Sequence, residues 1–365
     1  MPQLQWVNSS RVDLLEESVR LYSSKDVFYN PAMTLCRSIS SLAVGAIGEK
    51  LDLVDAFCAS GIRGIRYAKE NKNIRKLTFV DIEHAAIRLA KKNAKANKVK
   101  ADFKLGNISR VALDMTADFV EIDPFGTPSP YLVDAFRFFN PKKTAYLSAT
   151  ATDVAVLCGG KTAPCMKNYH SKPLNNEFTH ETGLRILIKR IAEVASEFNM
   201  GIEPLISFSD KHYLKTILKV KRGADFASES LKQLGYITYN KKTGERSAGK
   251  FPELGDHLEY AGSLWLGDLH HRRFLVDMKY MNDMRSYGDR EQIAKMLNLM
   301  EHEIGMPPYY YNIHALSKTK GSRTLPTTDR LLESLRKKRY NAYRTHFSKI
   351  SIKTDAPYEV LMGCI

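Results

Sequence analysis

From residue 51 to residue 123 the chain alternates short apolar, β-branched runs with stretches of helical period, and this alternation narrows its possible folds more than any other feature. Residues 51–57, 77–80 and 119–122 read as buried strands. Residues 83–97, with alanine and lysine at helical spacing, read as a surface helix. Such a repeat requires a mostly parallel sheet with crossover helices. A helix over residues 131–139 is predicted to stop at Asn140-Pro141, followed by a strand over 144–150 and a long helix over 181–198. Residues 204–208 and 213–220, separated by Ser209-Asp210-Lys211-His212, read as an antiparallel pair that finishes the sheet. The expected fold class is therefore α/β, with a mostly parallel sheet ending in an antiparallel strand.

A chain of 365 residues, 44% of them hydrophobic, is long enough for two domains. The first is complete near Lys221-Arg222-Gly223, which predicts a catalytic unit over 1–225 and a smaller α+β unit over 226–365. The second carries a polar stretch at 240–250, the apolar segment Gly262-Ser263-Leu264-Trp265-Leu266-Gly267, a helix over 290–303 and Tyr309-Tyr310-Tyr311. No internal repeat is present.

Charge is unevenly placed. The formal net charge is +15, and residues 317–353 hold eleven Lys or Arg, Arg323 among them, against Asp329 and Glu333, an excess of nine. Such clustering favours a polyanionic partner, because phosphates bound by lysine and arginine release counterions. Leu331, Leu332 and Leu335 fall at helical spacing within that run, so one side of it is expected to be packed. Five cysteines without a close Cys-x-x-Cys pair exclude a disulfide framework and a zinc ribbon, and fit a reducing compartment. The start, with Trp6 followed by Asn-Ser-Ser-Arg, is polar, and no apolar run reaches the roughly 18 residues of a membrane span. A cytoplasmic, monomeric protein is expected.

Two loops at strand ends carry the chemistry. Asp55-Ala56-Phe57-Cys58-Ala59-Ser60-Gly61-Ile62-Arg63-Gly64 closes one strand and opens a helix; its small residues let backbone approach a ligand at the carboxyl edge of the sheet. It has neither G-x-G-x-x-G nor G-K-[ST], which argues against a dinucleotide and a P-loop. Asp81, twenty residues after Gly61, can accept both hydroxyls of a ribose, although an isolated Asp there also caps the following helix. Asp123-Pro124-Phe125-Gly126 joins a carboxylate, a fixed kink and an aromatic face on which a planar substrate can stack. Taken alone, an Asp-Pro after a strand starts a turn. The three features together match the layout of S-adenosylmethionine-dependent amino-methyltransferases.

The sequence resembles one family in particular, the tRNA guanine-N2 dimethyltransferases that act on position 26. The resemblance rests on Phe28-Tyr29-Asn30-Pro31-Ala32-Met33 with Arg37, on residues 55–66, 123–126 and 262–267, on Thr345-His346-Phe347, and on Ile352-Lys353-Thr354-Asp355-Ala356-Pro357. It implies a Rossmann-like class I methyltransferase domain followed by a smaller tRNA-binding domain, with S-adenosylmethionine as cofactor. Arg37, Asp55, Arg63 and Asp81 are implied as cofactor contacts, and Asn107-Ile108 as the adenine-side loop, although that loop departs from the family's Asp-Ala after Asn. Phe28 and Phe125 are implied to hold the base, and Asp123 to act on it, flanked by Pro124 and Gly126. Lys337, Arg339, His346 and Lys353 are implied as tRNA contacts. Two Cys-x-x-Cys pairs found in many members are missing from residues 236–260, and Cys158 and Cys165 read as buried thiols, so no metal is expected.

Guanine N2 is a poor nucleophile because its lone pair is delocalised into the ring. Asp123 is expected to accept a hydrogen bond from the amino group, to stabilise the developing positive charge and to take or relay its proton. The base has to leave its stack to reach a sheet edge. The basic run and Tyr309–Tyr311 are expected to hold the RNA backbone and exposed bases. Methylation of an adenine or cytosine amino group is the nearest alternative; a nonenzymatic RNA-binding protein with a vestigial pocket is the alternative from another class.

Overall fold

In a computed structural model of the chain, residues 13–140, 144–321 and 326–365 are described. Trp6, Arg323 and the helix stop at Pro141 lie outside the described residues. The chain enters on a hairpin, β1 (Asp13–Glu16) and β2 (Val19–Tyr22), and a 3-10 turn over Pro31–Met33 leads into α1 (Thr34–Ala46). Strand and helix then alternate: β3 (Leu51–Asp55), α2 (Ile62–Glu70), β4 (Ile74–Asp81), α3 (His84–Ala96), β5 (Asp102–Leu105), α4 (Ile108–Asp114) and β6 (Phe119–Ile122). Next come α5 (Leu132–Arg137), β7 (Ala145–Ala151), the short α6 (Val154–Leu157) and α7 (Thr162–Tyr169), the long α8 (Thr179–Glu197), and the pair β8 (Met200–Asp210) and β9 (Tyr213–Arg222).

Seven of these strands form one sheet in the order β5-β4-β3-β6-β7-β9-β8. The first five are parallel, β9 runs antiparallel between β7 and β8, and β8 is the edge. The last strand in sequence is thus inserted rather than terminal. Every residue of β6 and β7 is buried, as a sheet covered by helices on both faces requires.

Two expected boundaries shift. Residues 51–57 hold a strand only to Asp55, because Ala59 (φ +44°) and Gly61 (φ +78°) turn the backbone through left-handed conformations before α2. The helix expected over 131–139 is a 3-10 turn at Ser129–Tyr131 followed by α5, after which Phe139 bridges to Ala117.

Beyond residue 222, α9 (Ala224–Lys232), β10 (Leu234–Asn240), β11 (Arg246–Gly249) and β12 (Leu258–Trp265) build an antiparallel sheet ordered β11-β10-β12. The polar stretch 240–250 is the turn and second arm of its hairpin. Helices α10 (Arg272–Asp283) and α11 (Arg290–Glu303) lead to β13 (Tyr311–Asn312), α12 (Ile313–Lys320), α13 (Thr328–Lys337), β14 (Ala342–Thr345), β15 (Ser348–Thr354) and α14 (Tyr358–Gly363), with a third sheet ordered β13-β15-β14.

Burial of apolar surface does not stop at residue 225. Leu264, Trp265 and Tyr310 share a core with Phe136, Leu147 and Leu187. Leu275, Met278, Leu297 and Met300 share another with Ile39, Leu42 and Leu53. A separate cluster gathers Tyr311, Leu331, Leu332, Leu335 and Ile352, so the leucines of the basic run pack as their spacing requires. Among the described residues no helix is long and apolar enough to cross a membrane.

Candidate active site

β6 delivers Asp123 to the carboxyl edge of the sheet, where Pro124 is buried and Phe125 projects outward with 77% of its surface exposed. Gly126 (φ +77°) lets the backbone turn back, its N–H donating to Thr152 Oγ1 at 2.8 Å and its carbonyl accepting from Thr152 N at 2.9 Å. Those two bonds tie the loop to the end of β7. Phe28, from the segment between β2 and α1, meets Phe125 with ring centroids 4.8 Å apart. Asp123 and its two predicted aromatic partners are therefore brought together; Gly126 shapes the loop, and buried Pro124 is not available to a substrate.

A buried charge stack lies behind Asp123. The Arg63 guanidinium donates to Asp123 Oδ2, and its Nε lies 3.8 Å from Glu121 Oε1. Lys215 Nζ donates to Glu121 and, at 2.9 Å, to Thr150 Oγ1, while Tyr67 Oη donates to Glu121 Oε2 at 2.8 Å. Burial pushes the Asp123 carboxyl up, but Arg63 and Lys215 outweigh it and hold the group below the ordinary carboxylate value. Asp123 is thus an anion that is easily hydrogen-bonded and hard to protonate. Sequence reasoning missed Glu121 and Lys215. A Glu in the middle of an apolar strand was the available signal, because a charge is buried there only with a partner.

The α2 loop supplies a second concavity beside the first. Asp81 Oδ2 accepts from Ala59 N at 2.9 Å and Oδ1 from Glu83 N at 3.0 Å, so this carboxylate both fixes the loop and caps the approach to α3. It remains partly accessible, and the apolar Ile82 beside it is left 63% exposed. Asn107, exposed at the end of β5, caps α4 by accepting from Ser109 N at 2.9 Å, and Ile108 is buried beneath it. A carboxylate beside an uncovered aliphatic side chain, next to a small-residue loop, fits the ribose and base of a nucleoside. Ile82 was also missed: its exposure is a property of the fold.

Three residues expected to touch the cofactor have partners in the protein framework. Arg37, only 4% exposed, forms a two-armed ion pair with Glu16 (2.7 and 2.5 Å) and donates to Asn30 O at 3.0 Å. It locks the β1–β2 hairpin to the segment carrying Phe28. Arg63 is committed to Asp123 and Glu121. Asp55 is buried and accepts from Gly64 N at 3.1 Å, which shapes the loop; burial and the nearby Glu121 push its carboxyl up to about 7.

Some expected tRNA contacts are also interior. Lys353, 1% exposed, donates to Glu181 Oε1 at 2.6 Å and to Pro307 O at 2.8 Å. The His346 ring is buried with Nδ1 2.9 Å from Glu303 Oε1. Tyr310 and Tyr311 are core residues, while Tyr309, partly exposed, packs against Tyr311, so two of the three rings face the interior. A basic or aromatic run does not by itself report which way its side chains point. Lys337 and Arg339 do face solvent.

His270, Glu303 and His346 form the one group among the described residues with donor atoms close enough to hold a metal. Ser207 N–H donates to His270 Nδ1 at 3.4 Å, which places the ring proton on Nε2, 3.6 Å from Glu303 Oε2. The His270 ring faces the carboxylate without bonding to it, and the bonds that pin α11 to the end of β14 come from Thr345 Oγ1 and His346 N, each 2.7 Å from Glu303 Oε1. Cys158 and Cys165 are buried and free.

The sheet order, with its inserted antiparallel strand, and the paired loops at its carboxyl edge define a class I S-adenosylmethionine-dependent methyltransferase. A family model described as N2,N2-dimethylguanosine tRNA methyltransferase matches residues 9–365, and the chain belongs to that family. It is 33% identical over 362 residues to a tRNA (guanine(26)-N(2))-dimethyltransferase of Methanobrevibacter smithii, covering 95% of this chain and 92% of that protein. It is 35% identical over 359 residues to the enzyme of the same name from Methanosarcina mazei, covering 92% and 90%. The structure of Trm1 from Pyrococcus horikoshii in complex with S-adenosyl-L-methionine superposes with a TM-score of 0.90 at 31% identity, covering 97% of this chain and 99% of that one.

Proposed function

We propose that the chain carries out the reaction for which its relatives are named, methylation of N2 of guanine 26 in tRNA, giving N2,N2-dimethylguanosine. The observation that carries the mechanism is the anionic Asp123 beside the exposed ring of Phe125, backed by Arg63. S-adenosylmethionine supplies the activated methyl on its sulfonium. Asp81, Ile82, Asn107 and the loop of Phe57 to Gly61 would hold the nucleoside part of that cofactor, on the fit of carboxylate, apolar cover and small residues described above.

Asp123 accepts an N2–H hydrogen bond, orients the amine lone pair outward and offsets the positive charge that grows on nitrogen. Because Arg63 keeps the carboxyl acidic, Asp123 passes the released proton to water instead of retaining it. After one methyl has been added, rotation about C2–N2 brings the remaining N–H to the same oxygen. Phe125 and Phe28 hold the extruded base by stacking. Lys337 and Arg339, exposed at the end of α13, are placed to meet phosphates. We keep the division at residue 225 as the functional boundary, since the catalytic sheet is complete at Arg222.

Nucleoside analysis of a tRNA transcript incubated with the protein and S-adenosylmethionine tests this reading. Dimethylguanosine at position 26, absent with Asp123→Ala, is expected; methylation confined to adenine or cytosine refutes it.

A further inference from the structure

Helix α3 buries one side, through Ala86, Ile87, Leu89, Ala90, Asn93 and Ala94. Its other side exposes Arg88, Lys91, Lys92 and Lys95, at spacings of three, four and seven, and Lys98 lies just beyond its end. The helix contains no Asp or Glu. Among the described residues none of these five cations forms an ion pair with a carboxylate. Like charges at these spacings repel one another on a helix, and the neighbours of Lys91 and Lys92 are the rings of Phe103 and Tyr22, not carboxylates. A polyanion does.

The flanking chain is built to display this face. Asn93 holds Tyr22 from both sides, its Oδ1 accepting from Tyr22 N at 2.8 Å and its Nδ2 donating to Tyr22 O at 3.1 Å. Lys92 Nζ sits 3.8 Å from the centre of the Tyr22 ring, so the ammonium is braced by the ring. Five residues on, Val27 packs with Ala86 and Leu89 of the same helix, and Phe28 follows at once. The basic face and the ring that meets Phe125 are therefore attached to one another. α3 starts just after Asp81, at the carboxyl edge, and its 13 residues carry the charges about 20 Å along the side of the domain.

We propose that the exposed face of α3, with Lys98, binds the sugar-phosphate backbone of the tRNA substrate along the side of the catalytic domain that leads away from the extruded base. This surface lies on the catalytic domain, apart from the basic run of residues 317–353, and rests on the reading of tRNA as substrate given above.

The test compares two full-length variants with equal charge loss. One is Lys91→Gln, Lys92→Gln and Lys95→Gln on α3. The other removes three exposed lysines scattered about the amino edge of the catalytic sheet, Lys50→Gln, Lys72→Gln and Lys76→Gln. Affinity for a tRNA transcript is measured by anisotropy across potassium chloride concentration, with S-adenosylmethionine binding followed by calorimetry as a control for folding. The α3 variant is expected to bind about 10–100-fold more weakly and to flatten the slope of log affinity against log salt by about two. The scattered variant is expected to change affinity by less than about 3-fold. Equal losses in the two variants, or an unchanged slope in the α3 variant, overturn the proposal. Failure of the unaltered protein to methylate tRNA sinks the proposed function, whereas a methylating enzyme indifferent to the α3 changes sinks this inference alone.

Discussion

Phe28 meets Phe125 edge to face, with ring centroids 4.8 Å apart and planes at 80°. A base held between two ring faces needs about 7 Å between them, since each stacked pair keeps van der Waals separation. One ring therefore has to turn when guanine enters, and the exposed Phe125 is the freer of the two. Phe125→Ala should cost little stability and reduce tRNA methylation about 10–100-fold, the equivalent of about 1–3 kcal/mol of stacking per base. S-adenosylmethionine affinity should be unchanged. Phe125→Trp should retain most activity. If Phe125→Ala methylates at the normal rate in single-turnover assays, the stacking role is wrong.

On the proposed mechanism, the Arg63–Asp123 pair should set the acid side of the pH profile. Asp123 titrates below its ordinary 3.8, so its anionic form persists below the usual carboxylate range, and its contribution to stability, present above 3.8, is lost as pH falls through that lower value. Asp123→Asn should lower the single-turnover rate by about 10²–10³-fold with cofactor binding intact. Lys215→Met removes one of the two cations that hold the carboxyl down, so its acid limb should move to higher pH. An unmoved limb would show that Lys215 only supports the fold.

Much of this site was legible in the sequence because the relevant signals were local. A strand ending in Asp-Pro-Phe-Gly fixes where a carboxylate and a ring emerge, and the alternation before it fixes which edge of the sheet they share. Phe28 lies 97 residues away and was reached through family resemblance. What stayed hidden was the commitment of each cation. Arg37, Arg63 and Lys353 were read as ligand contacts, and each is paired with a carboxylate from another element: Glu16, Asp123 and Glu181. Such pairings depend on side-chain direction after packing, which neither periodicity nor composition records.

Lys353 and Lys337 belong to the same basic run and should behave in opposite ways. Lys353→Met leaves Glu181 buried beside Arg185 with one partner fewer, and should cost about 3–5 kcal/mol in chemical denaturation. Lys337→Ala, on an exposed side chain, should stay within about 0.5 kcal/mol of the parent while weakening tRNA binding and flattening its salt dependence by about one. Equal stability of the two variants would contradict the burial of Lys353.

Asp55 makes a different use of pH. Its carboxyl is pushed from 3.8 to about 7 by burial first and by Glu121 second, and a third negative charge among Glu121 and Asp123 is what the fold resists. A raised folded value means that the protonated group contributes its full stabilisation below 3.8, and that this contribution is lost as pH rises toward 7. Asn cannot ionise, and its Oδ1 can still accept from Gly64 N. Asp55→Asn should therefore match the parent near pH 4 and exceed it by about 1–4 kcal/mol at pH 8, the gap opening between those values. Urea denaturation at pH 4, 6 and 8 measures it. A pH-independent gap would mean that Asp55 is ionised in the folded protein, and that Arg63 compensates three carboxylates instead of two.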